Sequence, residues 1–310
     1  MRLLVLRPGA LGDLLLALPA VRTFMTRLPS TQVEMAASHP AVLGLAPDVR
    51  AAHDFGSALF SPLFVETGPP CESLSRFLSR FDQVAVLAGD RDGLVRGRLL
   101  AHGVGWAIGG TLESRPVRPP HMSVRLALQL GLDGLPDGAR RARLLELGRP
   151  VGQHVWLHPG AGGASKRWPL EAFAALARLL AAEGLPVRLL AGPADEDLGE
   201  CLAGMLGMAG TSVVRPGTHL ELASELAGGL AFVGNDTGPA HLAGLLGLPT
   251  VAVFGPTAPE VWAPCGPRAS AVAAGQDGRW PSAAAVAEAL LGEVRGLAGT
   301  GSWQREGSMR

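Results

Sequence analysis

The chain has 310 residues, 47% of them apolar and 17% charged, and a formal net charge of zero; that length and apolar content argue for two domains with real cores and exclude a disordered chain. The charge divides by half: residues 1–150 carry 17 Arg against 13 Asp and Glu, net +4, and residues 151–310 carry 10 basic against 14 acidic residues, net −4. A modestly basic N-terminal half could meet an anionic partner, but no basic run with interleaved aromatics is present, which argues against nucleic-acid binding.

The first predicted elements are an apolar strand over Arg2–Leu6, a Gly-rich turn over residues 7–12, and a helix ending near Leu28. This start imitates a secretion signal, yet Asp13 and two glycines interrupt it, and no run approaches the roughly 18 apolar residues that a membrane span needs. Val33–Ala37 and Gln83–Ala88 read as further strands, and Leu94–His102 and Val124–Leu130 as helices. A loop rich in Gly, Pro and Arg fills about Gly131 to Gln153, after which the alternation restarts.

In the second half, strands are expected at Val155–His158, Val187–Ala191, Ala231–Val233 and, last, Thr250–Phe254; helices are expected at Leu170–Ala182, Leu220–Leu226 and Pro239–Leu246. Ser282 caps a final helix over Ala283–Val294. Strands alternating with helices make parallel sheets covered on both faces. The expectation is α/β, two Rossmann-like doubly wound domains over 1–150 and 151–298, with a loose tail over 299–310. Ligands should bind in the cleft at the carboxyl ends of the strands.

Three segments carry candidate chemistry. Gly234-Asn-Asp-Thr-Gly-Pro-Ala-His241 follows a strand and opens a helix at Pro239, where the missing N–H is tolerated. Free amides of Thr237, Gly238, Ala240 and His241, with the helix dipole, would suit a diphosphate; simple capping by Asp236 or Thr237 is the alternative. His158 to Pro169, again between strand and helix, departs from a P-loop, because Ser165 precedes Lys166 and Arg167 follows it. What survives is a Gly-rich loop at Gly160 that lets backbone approach a phosphate, with Lys166 as charge partner. Lys166 is the only Lys in the chain and Asn235 the only Asn. The third segment, Arg7-Pro-Gly9-Ala-Leu-Gly12-Asp13, places Asp13 at a helix start, as a cap or as a general base.

Other acids are weaker candidates. Asp90-Arg91-Asp92 could hold a divalent metal or form an ordinary turn. Asp195 and Glu196 could meet ribose hydroxyls or lie in a solvated first helical turn. Cys71, Cys201 and Cys265 lack metal or disulfide spacing, which fits a reducing cytoplasm.

Jointly, the segments Arg7 to Pro19, His158 to Pro169, Gly234 to His241 and Phe254 to Thr257 resemble glycosyltransferase family 9, the ADP-heptose:lipopolysaccharide heptosyltransferases, over about residues 1–265. The resemblance implies a GT-B fold and an inverting, metal-independent transferase without cofactor. It implies Asp13 as catalytic base beside an acceptor-side loop of Arg7, Gly9 and Gly12. Lys166, Asp236, Thr237, Gly238, Pro239 and His241 would hold the donor, ADP-heptose or another nucleotide-diphosphate sugar. The acceptor would be a saccharide or glycolipid, and the site of action the cytoplasm, peripheral to the inner face of the membrane. Another GT-B enzyme, such as a nucleotide-sugar epimerase, and an inactive sugar-nucleotide-binding protein are the alternatives.

Overall fold

The computed structural model describes residues 1–90, 92–109, 117–147, 152–193, 195–207 and 213–298. The N-terminal half runs β1 (Arg2–Arg7), α1 (Leu11–Leu15), α2 (Leu18–Arg27), β2 (Gln32–Ala37), β3 (Ala51–Asp54), α3 (Glu72–Leu78), β4 (Gln83–Val86), α4 (Leu94–Ala101), β5 (Ala107–Gly109) and α5 (Met122–Gln129). The C-terminal half runs β6 (Val155–His158), α6 (Leu170–Ala182), β7 (Val187–Leu190), α7 (Glu196–Met205), β8 (Val213–Val214) and α8 (His219–Ala227). It continues with β9 (Ala231–Asn235), α9 (Gly238–Leu245), β10 (Thr250–Phe254), α10 (Pro259–Trp262), β11 (Ala269–Ala273) and α11 (Ala283–Ala298).

All described strand pairs are parallel. The strand orders are β3-β2-β1-β4-β5 and β11-β10-β9-β6-β7-β8, so each sheet reverses its winding once, between β1 and β4 and between β6 and β9. Such switch points leave a crevice at the carboxyl ends of the strands. Leu3 to Leu6 of β1 are buried on both faces, which is why the strand is continuously apolar rather than alternating. Along α6, Phe173, Leu176, Ala177 and Leu180 are buried at the spacing of one helical stripe.

Several expectations need correction. The single helix expected up to Leu28 is two, because Pro19 lacks an N–H and its ring crowds the carbonyl four residues earlier, at Leu15. Thr250–Phe254 is not the last strand: β11 pairs beyond it. Its Ala-Ser-Ala-Val-Ala sequence at the sheet edge is only half-buried and carries little apolar alternation. The even shorter β5 and β8, of three and two residues, left no pattern to read.

The two halves share one apolar core. Leu3, Val5, Leu11, Leu14 and Leu15 belong to the same buried cluster as Ala240, Leu242 and Leu245 of α9 and Trp156, Phe232 and Phe254 of the second sheet. Burying each large side chain fully contributes roughly 1.5–3 kcal/mol. The loop between the halves is a strap rather than a free linker. The amides of Leu144 and Leu145 donate to the Leu245 carbonyl at 3.1 and 3.2 Å, Glu146 N donates to Leu45 O at 2.8 Å, and Gly266 N donates to Arg140 O at 2.7 Å. The expected boundary at 150/151 and the tail over 299–310 lie outside the described residues.

Candidate functional site

On the N-terminal side, β1 delivers Arg7 to the switch point. Its buried guanidinium donates to the Leu87 carbonyl beyond β4 at 2.6 Å and to the Asp13 carbonyl at 2.9 Å, and it lies 3.5 Å from the Asp13 carboxylate. Burial lowers the Arg7 pKa and Asp13 counteracts this. The chain then turns at Gly9, whose φ of +122° a side chain would strain, and enters α1. Asp13 is the third residue of α1, and its Oδ2 accepts from the Ala10 amide at 3.2 Å. Its side chain remains 35% exposed, so the carboxylate both closes the helix start and meets solvent.

On the C-terminal side, Asn235 is fully buried at the end of β9 and spans the switch point. Its Nδ2 donates to the carbonyls of Pro159 and Gly160 at 2.9 and 3.0 Å, and its Oδ1 accepts from the Trp168 amide at 2.9 Å. The one Asn of the chain thereby pins both ends of the His158–Trp168 loop; its rarity was the only sequence signal for this role. At Gly160 a Cβ would stand 2.1 Å from an Asp195 carboxylate oxygen, so any larger residue here would displace the Asp195 side chain. Asp195 in turn lies 3.6 Å from His158 Nε2.

Asp236 is the electrostatic centre. Its Oδ2 accepts from Lys166 Nζ at 2.7 Å and from the Thr257 hydroxyl at 2.9 Å, and its Oδ1 lies 3.9 Å from His241 Nε2. Burial opposes its ionisation, but His241 and Lys166 outweigh that and hold the carboxyl below its usual range. The amides of Ala240 and His241 donate to the Thr237 carbonyl and are not free, contrary to expectation. The Thr237 hydroxyl donates to Asn235 O at 3.2 Å instead of capping the helix. The amides of Thr237 and Gly238 remain as donors at the start of α9. His241 Nδ1 is buried without a hydrogen-bond partner among the described residues.

The two sides meet. A Cβ on Gly12 would stand 3.0 Å from His241 Cδ2, and one on Gly238 would stand 3.0 Å from Leu11 Cβ, so the starts of α1 and α9 are in close contact. Beside this contact opens a cavity of about 430 Å³ walled by both halves. Ala10, Leu11, Gly12 and His39 come from the N-terminal half; Gly162, Asp195, His219, Thr237, Gly238 and Pro239 are among the C-terminal residues. Asp13, Lys166, Asp236 and His241 adjoin this wall without forming part of it.

Glu196 and Asp90 each follow one of the two readings open to them. Glu196 is exposed in the first turn of α7 and does not line the cavity, because Asp195 immediately before it takes the inward position. The Asp90 carboxylate is occupied with α4, accepting from the amides of Val95 and Arg96 at 3.0 Å each, which is the turn reading rather than the metal reading. Among the described residues no three His, Cys, Asp or Glu side chains converge as a metal-binding group.

The family model of glycosyltransferase family 9 (heptosyltransferase) matches residues 136–289. Lipopolysaccharide heptosyltransferase 1 of Pseudomonas aeruginosa is 30% identical over 296 residues, which cover 84% of this chain and 80% of that protein. The solved E. coli ADP-heptose lps heptosyltransferase II superposes with a TM-score of 0.72 at 21% identity, over 96% of this chain and all of that one. The E. coli heptosyltransferase WaaC with ADP superposes with a TM-score of 0.67 at 21% identity, over 94% of this chain and all of that one. With two parallel α/β domains facing across a cleft and a relative of this identity along most of both chains, the protein is a GT-B glycosyltransferase and belongs to family 9, the heptosyltransferases.

Proposed function

We propose that this protein moves a heptose from a nucleoside-diphosphate sugar, ADP-heptose first among candidates, to a saccharide of the lipopolysaccharide-core type. The transfer inverts the anomeric carbon and uses no metal ion. The observation that carries this reading is the contact between the starts of α1 and α9, which brings the helix bearing Asp13 against the helix start beside Lys166 and Asp236. Similarity to the Pseudomonas heptosyltransferase, and to E. coli structures solved as an ADP-heptose transferase and with ADP, supports heptose as the sugar and ADP as the nucleotide.

In the proposed step the Asp13 carboxylate takes the proton of an acceptor hydroxyl. That oxygen bonds to the anomeric carbon from one face while the bond to the diphosphate oxygen breaks on the other, and the nucleoside diphosphate departs. Negative charge grows on the leaving group, so donors fixed in advance are what lower the barrier. Lys166 has three N–H donors; one serves Asp236, leaving two for phosphate oxygens. The amides of Thr237 and Gly238 add hydrogen bonds, and the dipole of α9 adds roughly half a positive charge. Asp236 is the orienting partner of Lys166 and His241 rather than a phosphate ligand itself, since two anions would repel.

No described helix is long and apolar enough to cross a membrane. We place the reaction in the cytoplasm, beside the inner membrane face where a glycolipid acceptor would present its saccharide. The test is release of nucleoside diphosphate from a panel of ADP-, GDP- and UDP-sugars with a core oligosaccharide acceptor, with and without EDTA. Turnover of ADP-heptose that persists in EDTA is expected; turnover abolished by EDTA, or confined to another sugar, would overturn the corresponding part.

A further inference from the structure

Two imidazoles from opposite halves line the cavity. The rings of His39, just beyond β2, and His219, the first residue of α8, meet edge to face with centroids 4.5 Å apart. The same cavity has an apolar wall that includes Leu190, Ala191, Pro193, Pro216 and Leu222. Leu190 ends β7, and Ala191, Pro193 and Pro216 follow the carboxyl ends of β7 and β8, the side of an open parallel sheet on which ligands bind.

We propose that the His39–His219 pair recognises the flat heteroaromatic base of the donor, so that both halves of the protein bind the nucleotide. This rests on the donor reading above and assigns the N-terminal half, there given only acceptor duties, a part in donor selection. The rings already touch, so the base abuts the pair from within the cavity rather than entering between them. An imidazole face can stack on a base, and the nitrogens at its edge can exchange a hydrogen bond with it. Neither ring has a hydrogen-bond partner among the described residues, which keeps its nitrogens for the ligand. Burial first, and then the neighbouring His39, lowers the pKa of His219, favouring the neutral ring that can both donate and accept.

Hydrogen bonds anchor the chain next to both histidines. Thr218 Oγ1 accepts from the Glu221 amide at 3.1 Å, and the Glu221 carboxylate accepts from the Gly217 amide at 2.8 Å, which fixes the first turn of α8 around His219. His39 is flanked by Pro40 and by Ser38, whose hydroxyl accepts from the Gly9 amide at 3.3 Å. The base contact is thereby tied to the turn that leads to Asp13.

Calorimetric titration of the full chain with ADP and, separately, with inorganic pyrophosphate tests the assignment. His219→Ala and His39→Ala are each expected to weaken ADP binding about tenfold, the scale of one lost base stack. Pyrophosphate affinity should stay within about twofold of the parent, because it has no base to contact. The double variant should lose less than the product of the singles, since the rings support each other, and His219→Phe should retain most of the affinity. ADP affinity unchanged in both Ala variants, or pyrophosphate affinity falling in parallel, overturns the proposal. If the parent protein binds pyrophosphate but not ADP, the base recognition fails; if it binds neither, the donor reading itself fails.

Discussion

Replacing Asn235 by Leu should cost more stability than any other single change at the site. The side chain is fully buried and satisfies three backbone groups, the carbonyls of Pro159 and Gly160 and the amide of Trp168. Leucine has a similar volume but no polar atoms, so all three groups are left in a dry interior. Each such group costs about 1–3 kcal/mol, and partial relaxation of the two carbonyls brings the total to roughly 3–6 kcal/mol. At about 2–4 °C per kcal/mol, the melting temperature should fall by about 6 °C or more. Asn235→Asp keeps the acceptor for Trp168 but turns an anion toward two carbonyls, so it should not rescue the loss. Thermal and urea melts of the three proteins, with donor turnover at a temperature where all remain folded, are the assay. A leucine variant that melts within about 2 °C of the parent would refute the claim that this residue pins the His158–Trp168 loop.

Lys166→Met should raise the donor KM about tenfold or more while costing only about 1 kcal/mol in stability, because its side chain is 35% exposed and the ion pair is partly screened; Lys166→Arg should recover charge but not affinity in full. Steady-state kinetics beside urea melts separate the two effects. His121 is a pH-sensitive tie between the halves, its Nε2 donating to Ala263 O at 2.9 Å and its Nδ1 accepting from the Ser123 amide at 3.3 Å. Burial lowers its pKa to about 4 from 6.5, so the unfolded chain binds the extra proton first as pH falls. Its contribution is therefore whole above about pH 6.5 and lost progressively towards pH 4, by up to roughly 3 kcal/mol. Urea melts across that range should show a shallower decline in His121→Gln than in the parent.

The three candidate segments were legible because each packs turn-forming residues between an apolar strand and a helix, a local pattern. Arg7 to Asp13, His158 to Lys166 and Asn235 to His241 all stand at carboxyl ends of parallel strands. What escaped reading depends on residues distant in sequence. The bonds of Asn235, the packing of Gly160 on Asp195 and the hydrogen bond from Thr257 to Asp236 need the sheet to bring its strands together. The meeting of His39 with His219 needs both domains. Glu196, one residue on from the cavity-lining Asp195, is exposed in the first turn of α7, the solvated reading of that pair. The shared core had a sequence sign: α9 is buried from Ala240 through Leu245, and a helix apolar all round must be enclosed.

The central claim is that Asp13 is the base in the transfer. Because its carboxylate also receives the Ala10 amide, Asp13→Ala would mix chemistry with loss of a cap; Asp13→Asn keeps an oxygen for that amide and removes the base. The direct measurement is the transfer rate of Asp13→Asn beside its affinity for the donor. A fall in kcat of about 10²–10⁴, with donor affinity within about threefold of the parent, is the result expected here. Transfer within about tenfold of the parent rate would contradict it.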